Sequence, residues 1–461
     1  MKYLSIFFIL IVANSYSQIK EGKWFGAINA LGTEMPIGVS VETISGKQKA
    51  YLINPENEKL KYAFDSISIT EKEFYFSQSQ LKIIYSGTYA DDRLNGVFKQ
   101  NNMELSLVLT QEPFKKKEMK RPQTPIPPFD YYTEEIEAFN PIDSVTLSGT
   151  LTLPANDGKK YPIVILVTGS GPQNRDSEIL KHKSFAVIAD HLAKQGIGSF
   201  RYDERGVGKS TGKYAGSDLN DFYRDLDVVV KKITERKELE KLGILGHSEG
   251  GVLAPWYASE HKKQIDFIIM MGAPGIPVSE MMHLQRKNVY IGQGMSSKEI
   301  EKQKQLFTKI DEIVLNNSGK EKIDKLKALF TDFAMKNGYS ETETKQYVAS
   351  QMNTMNGAWY KSFIAVKPDT YLRKVRCSVL AIGGGKDVQV PMESNMKGIA
   401  KSLHKSKSRF LRKRTLQYAK FGNLNHLMQP AETGMPDEYG KIETTISRDI
   451  LFTISDFVNN L

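Results

Sequence analysis

From about residue 130 onward, short apolar runs alternate with stretches of helix length. The runs are Ile163–Val167, Ile197–Arg201, Leu242–Leu245, Phe267–Met271 and Val379–Ile382. Each is nearly all apolar and rich in β-branched residues. That composition suits strands covered on both faces, as the crossover helices of a parallel sheet cover them. Two further strand-like segments, Glu135–Phe139 and Ser144–Leu153, come before them. The spacing predicts an open, mostly parallel α/β sheet. One interval breaks the alternation. Between Met271 and Val379, Ser296 with Glu299 and Ser340 with Glu343 have capping-box spacing. Gly319, Gly338 and Gly357 stand where helices stop. Ile323, Leu326, Leu329, Phe330, Phe333 and Ala334 follow a helical period. A helical insertion is expected at about 277–370, leaving the sheet where an α/β enzyme keeps its active site.

The chain has 461 residues, room for two or three domains. Lys2, the apolar run Leu4–Val12 and the small residues Ala13–Ser17 read as a signal peptide over 1–17, cut at Ser17/Gln18. That implies export, to the periplasm or beyond the cell. The run is too short to span a bilayer, and no later stretch is long and apolar enough. No transmembrane anchor is therefore expected. Residues 18–110 read as a β-rich module. Ile37–Val41, Ile67–Ile69 and Leu105–Leu109 alternate with period two. Trp24, Phe74, Phe76, Tyr85 and Phe98 could fill a small barrel or sandwich. The module has no histidine and no catalytic cluster; it reads as a binding module or a structural appendage. Residues 111–129 hold Pro113, Pro122, Pro125, Pro127 and Pro128 among Lys115–Lys117, Lys120 and Arg121. They read as a stiff linker. The α/β domain then occupies 130–461.

The chemistry points to one turn. Gly246-His247-Ser248-Glu249-Gly250-Gly251 follows the apolar strand Leu242–Leu245 and precedes a helix-compatible stretch, Val252–Ser259. This is G-x-S-x-G in a strand–turn–helix context, which forces the serine into a strained, exposed position. Ser248 is the expected nucleophile, at a helix N-terminus that favours developing negative charge. A serine needs a base held by a carboxylate, and this fold supplies them in the chain order Ser, acid, His. Asp387 follows the strand Val379–Ile382, and His426 follows the strand-like Thr415–Phe421. His182, His191 and His261 fall on expected helices, and His404 sits in a basic run. His283 opens the insertion, and His247 points elsewhere on the turn. Only His426 has both position and order. The oxyanion hole should take the N–H of Glu249 and one from the loop Thr168-Gly-Ser-Gly-Pro172, with Ser170 first and Gly171 second.

Two imitations fail. Asp203–Ser210 resembles a phosphate loop, but Asp203 replaces its first glycine. Gly169–Asn174 lacks the third glycine of a dinucleotide loop and carries Pro172. No cofactor and no metal site are expected. The single cysteine, Cys377, allows neither an intrachain disulfide nor a cysteine-based zinc site. The net charge of +10 is scattered except at Lys115–Lys117 and Arg409–Arg414, which argues against nucleic acid.

Four blocks carry a family resemblance: Thr168–Asp176, Arg201–Ser210, Gly246–Gly251 and Asn423–His426. In this order they resemble the EstD-type bacterial carboxylesterases of the α/β-hydrolase superfamily, over about 130–461. The resemblance implies an α/β-hydrolase fold, in which the helical insertion reads as a lid. It implies cofactor-free hydrolysis of short-chain acyl esters, with Ser248 as nucleophile, Asp387 as acid and His426 as base. Thr168 stands where the family's oxyanion motif commonly has histidine. The expected activity is a secreted or periplasmic serine carboxylesterase on small acyl esters, acylated carbohydrates among the candidates. The alternatives are an aminopeptidase or amidase on the same triad, or a glycan-binding protein acting through its β module.

Overall fold

The structure, a computed structural model, describes residues 19–30, 33–55, 57–70, 72–100, 103–113, 119–405 and 414–461. The expected signal segment, Lys115–Lys117 and most of Arg409–Arg414 lie outside the described residues. The chain divides into two compact units, 1–118 and 119–461.

The second unit is built on an eight-stranded sheet. Its strands are β1 (Tyr132–Asn140), β2 (Val145–Leu153), β3 (Tyr161–Val167), β4 (Gly198–Tyr202), β5 (Leu239–His247), β6 (Phe267–Met271), β7 (Ser378–Gly384) and β8 (Leu416–Phe421). Their spatial order is β1-β2-β4-β3-β5-β6-β7-β8. The β1–β2 and β2–β4 pairs are antiparallel, and every later pair is parallel. The apolar runs become the central strands because helices cover both faces. On one face α2 (Leu219–Thr234) and α3 (Gly250–Glu260) bury Leu226, Val229 and Leu253. On the other, α1 (Ser184–Lys194) and the C-terminal helix Arg448–Asn459 bury Phe185, Ile188, Ile450 and Ile454. Each is a separate apolar cluster, as a two-faced sheet requires.

Between β6 and β7 the chain leaves the sheet as α4 (Val278–Gly292), α5 (Ser297–Asn316), α6 (Gly319–Lys336), α7 (Glu341–Met355), α8 (Ala358–Ile364) and the short α9 (Asp369–Leu372). The capping boxes of Ser296 and Ser340 form as expected. Helices α5 to α8 share a core that includes Phe307, Ile310, Leu326 and Phe330. The two ends of the insertion belong elsewhere. Val278 and Met281 of α4, Phe363 of α8 and Val366 pack in the main core. An insertion cut at 277 and 370 is therefore not a separable body.

The expected stiff linker, 111–129, is more than a spacer in its described C-terminal part. Residues 119–131 form no helix or strand, but they are pinned to the second unit. Arg121 donates to the carbonyls of Ile442, Leu180 and Gly440, and Gln123 binds the backbone of Thr445 and Ile446.

In the first unit, nine strands between Gly22 and Thr110 form one antiparallel sheet. Phe64 N–H bonds to Ala50 near one edge, and Asp65 N–H bonds to Ser77 near the other. Neighbouring residues can do this only if the sheet curls until its edges meet. The interior holds Trp24, Phe74, Phe76, Tyr85 and Phe98. One curled sheet encloses this interior, and among the described residues its two edge strands do not pair with each other.

Candidate active site

The β5–α3 turn is dictated by its glycines. Ser248 has φ +54°, in the left-handed region that costs a side-chain-bearing residue energy. Its N–H is held by the Met271 carbonyl at 3.0 Å. A Cβ on Gly246 would lie 2.0 Å from the Gly250 carbonyl oxygen. On Gly250 it would lie 2.3 Å from the Val167 carbonyl oxygen, and on Gly251 2.3 Å from Ala273 Cβ. No larger residue fits at these points, so the turn can bring Ser248 to the head of α3.

Asp387 and His426 arrive from the two neighbouring strand ends. Asp387 Oδ1 accepts the N–H groups of Gln389 (2.9 Å) and Val390 (2.7 Å), which fixes the carboxylate. Its Oδ2 meets His426 Nδ1 at 2.8 Å. The ring then carries its proton on Nδ1 and keeps Nε2 free to accept one. Ser248 and His426 line one cavity of about 380 Å³. Ser248 Oγ forms no hydrogen bond among the described residues.

Two supporting residues were not legible as such. Asn425 is fully buried. Its Oδ1 accepts from Leu427 N and Gln429 N, and its Nδ2 donates to Gln429 Oε1. This closes the loop that presents His426. The signal was the asparagine in Asn423-Leu-Asn-His426, since asparagine favours such turns. His247 is the larger surprise. It does not point away: its ring packs 4.8 Å from that of His426, and Nε2–H donates to the His426 carbonyl. Burial pushes its pKa down to about 3, so it stays neutral.

The loop after β3 faces the turn. Gly169 passes so close that a Cβ there would lie 3.1 Å from Ser248 Cβ. Gln173 Nε2 donates to the carbonyls of Gly169 (2.9 Å) and Ser170 (3.2 Å). In a trans peptide the N–H points opposite to the C=O, so holding the Gly169 carbonyl turns Ser170 N–H the other way. Among the described residues, Ser170 N–H and Glu249 N–H have no acceptor. Gly171 N–H is donated to Tyr214 Oη at 2.9 Å. Gly171, expected as a second candidate, is therefore already engaged. Thr168 Oγ1 bonds Glu204 Oε1, and Glu204 Oε2 accepts Gln173 N–H at 3.0 Å, which anchors the loop from below.

The cavity is walled by Ile179, Leu180, Met281, Met282, Trp359 and Phe363, with Gln285, Gln389 and Tyr439 as neutral polar groups. Among its described lining residues there is no Asp, Glu, Lys or Arg. Met281 and Met282 face it, whereas Met355 is buried in the core of the insertion and Met352 packs against that core. The other histidines stand apart. His182, expected on a helix, lies instead in a two-strand hairpin, Glu178–Ile179 with His182–Lys183. Burial lowers its pKa to about 4, and it bonds Thr445 and the Tyr439 carbonyl. The Asp203 loop is filled by its own carboxylate, which accepts from Lys209 N and Arg175 N. No group of three or more His, Cys, Asp or Glu stands ready for a metal among the described residues, and no described helix is long and apolar enough to cross a membrane.

The strand order, the glycine-bounded serine turn and the acid and histidine after β7 and β8 decide the architecture. The fold is that of the α/β-hydrolases. Residues 181–318 match the family model described as Hydrolase_4, serine aminopeptidase S33. That segment includes Ser248 and stops before Asp387 and His426. Esterase EstD of Thermotoga maritima is 34% identical over 141 residues, 31% of this chain and 34% of that protein. The chain thus spans about a third of that relative's length, and the expected resemblance to EstD is found over those 141 residues. Among solved structures, the Pyrococcus furiosus esterase Pf2001 is 14% identical, with a TM-score of 0.41, covering 72% of this chain and 91% of that one. Est1E from Butyrivibrio proteoclasticus with bound ferulic acid is 15% identical, with a TM-score of 0.39, covering 70% and 96%.

Proposed function

We propose that the chain is a serine carboxylesterase acting on small, uncharged acyl esters. The observation that carries this reading is the Asp387–His426 bond beside Ser248, at a cavity with no charged lining among the described residues. His426 Nε2 takes the Ser248 proton as Oγ attacks the acyl carbonyl. The Ser248–His426 bond closes when substrate arrives, as catalytic bonds commonly do. Asp387 holds the ring and stabilises its charged form. The developing oxyanion is received by Glu249 N–H and Ser170 N–H at the head of α3. The alcohol leaves with the proton from His426, and water attacks the acyl-enzyme by the same route. No step requires a metal or cofactor.

An aminopeptidase must hold a substrate ammonium group, and a buried cation needs an opposing carboxylate. Among the described residues the cavity lining offers none, which favours an ester over an aminoacyl substrate. Gln285, Gln389 and Tyr439 suit a neutral, hydroxyl-bearing alcohol part, acylated carbohydrates included. Helices α4 and α8 act as the lid, walling the cavity and excluding water during acyl transfer. The N-terminal charge, apolar run and small residues support export, with the mature chain starting at Gln18. The test is a panel of p-nitrophenyl esters, acetylated sugars and aminoacyl anilides, with Ser248→Ala as control. Ester hydrolysis lost in the variant supports the reading; turnover confined to the anilides overturns it. N-terminal sequencing of the mature protein tests the cut.

A further inference from the structure

The side chain of Glu249 has no part in the steps above, although it follows the nucleophile directly. It is 3% exposed. One of its oxygens, Oε2, accepts two hydrogen bonds: Ser170 Oγ–H at 2.8 Å and Trp359 Nε1–H at 2.6 Å. Ser170 lies on the loop after β3, and Trp359 lies on α8 of the insertion. A single carboxyl oxygen therefore joins three segments far apart in the chain. None of its partners is a cation, so the site selects acceptor geometry and not a counter-charge.

The three segments are also those that build the proposed oxyanion hole and its roof. Ser170 is held on its backbone side by Gln173, through the Gly169 and Ser170 carbonyls. Its side chain is held by Glu249. The orientation of Ser170 N–H therefore depends on both. Glu249 is in turn placed by Trp359. Helix α8 is itself anchored: Tyr360 donates to Asp311 of α5 at 2.6 Å, and Ser362 Oγ accepts from Leu219 N at the start of α2. Trp359 stacks on Phe363 at 5.2 Å, and both wall the cavity.

We propose that the Glu249 carboxyl is a positioning residue that couples the seating of α8 to the geometry of the oxyanion hole. Trp359 fixes the carboxyl, the carboxyl fixes Ser170, and the two N–H donors are aligned only when α8 is in place. The inference rests on the serine-hydrolase reading and deepens it. A donor that is misaligned stabilises the transition state poorly while leaving substrate binding intact.

The test is a double-mutant cycle on the full chain. Trp359→Phe removes the N–H and keeps the ring; Ser170→Ala removes the hydroxyl. Each is expected to lower kcat for p-nitrophenyl butyrate about 10-fold, with KM within twofold of native. Binding of an alkyl boronic acid, which mimics the tetrahedral adduct, should weaken by the same factor as kcat. The double variant should lose no more than the worse single one, because both bonds act through one oxygen. Losses that multiply in the double variant, or a Trp359→Phe kcat within twofold of native, overturn the coupling. Fluorophosphonate labelling of the native chain is read by mass spectrometry alongside. An unlabelled Ser248 takes down the serine-hydrolase reading and this inference with it. A labelled Ser248 with multiplying losses overturns the coupling alone.

Discussion

His247 Nε2–H donates to the main-chain carbonyl of His426 at 2.9 Å. The residue before the proposed nucleophile thus holds the backbone of the proposed base. Two loops 179 residues apart in the chain are locked by one bond, and the neutral form that makes it persists because burial pushes the His247 pKa down to about 3. His247→Phe keeps an aromatic ring, of somewhat larger volume, and orphans the carbonyl. The expected loss is about 1–3 kcal/mol of stability, with a fall in kcat from a looser His426. Urea unfolding and steady-state kinetics measure both. Native values for both would show that the bond carries no weight.

Ser248→Ala should lower ester turnover by about 10⁴–10⁶-fold and leave the fold intact. Ser248 is half-buried on the turn and its hydroxyl has no partner among the described residues, so packing loses little. Circular dichroism and activity of the variant are the measurements. Near-native turnover would end the triad mechanism.

Much of this site is legible in the sequence because an α/β sheet delivers its functional residues to one edge. Ser248 and Asp387 each follow an apolar run and His426 follows a strand-like segment, and the structure brings all three to the same ends of β5, β7 and β8. What is not legible depends on directions. The His247 ring turns toward His426, a direction that a one-dimensional pattern does not carry. Ser170 and Gly171 are both small residues of one loop, and the Tyr214 hydroxyl, which engages Gly171 N–H from another segment, is a contact that the sequence does not display. Proline density reads as a stiff linker, yet Arg121 and Gln123 find carbonyls more than three hundred residues away. The insertion looks self-contained from its caps, while its ends, Val278 and Phe363, are shared with the main core.

Gly250→Ala should prevent native folding or lower Tm sharply. Its Cβ would meet two fixed carbonyl oxygens, of Val167 and Thr168, at 2.3 and 2.6 Å. Neither can move without distorting β3. Overpacking of this kind costs about 1–3 kcal/mol or more. Gly158→Ala, where a Cβ meets nothing within 4 Å although φ is +77°, is the control for strain alone. Equal Tm values for the two would contradict the steric argument.

Burial raises the Glu249 pKa from 4.5 to about 7. The folded state therefore keeps a proton that the unfolded chain releases above about pH 4.5. By linkage, this contribution to stability is fully present below pH 4.5 and is lost as pH rises through about 7. Glu249→Gln has no proton to lose, and its amide oxygen can still accept from Ser170 and Trp359. The Tm of the native chain relative to the variant should fall between pH 5 and pH 8, by the equivalent of roughly 2 kcal/mol. A difference independent of pH, or one of opposite sign, would refute the assignment.

Acyl-chain preference should follow α4 and α8 and not the bulk of the insertion. Met281, Met282, Trp359 and Phe363 line the cavity, whereas no residue of α5, α6 or α7 does. Met282→Phe projects a larger group into about 380 Å³ of space and should exclude long chains first. One methylene in an apolar pocket is worth roughly 1–3 kcal/mol, so the octanoyl-to-acetyl ratio of kcat/KM should drop by about tenfold or more. Replacing 297–355 with a Gly/Ser linker removes α5 to α7 and leaves the main core closed by Val278, Met281 and Phe363. That variant should fold with reduced Tm, since Tyr360 and Ile364 lose their neighbours, and keep the native chain-length ratio. A changed ratio in the truncated chain, with none in Met282→Phe, would place specificity in the outer helices instead.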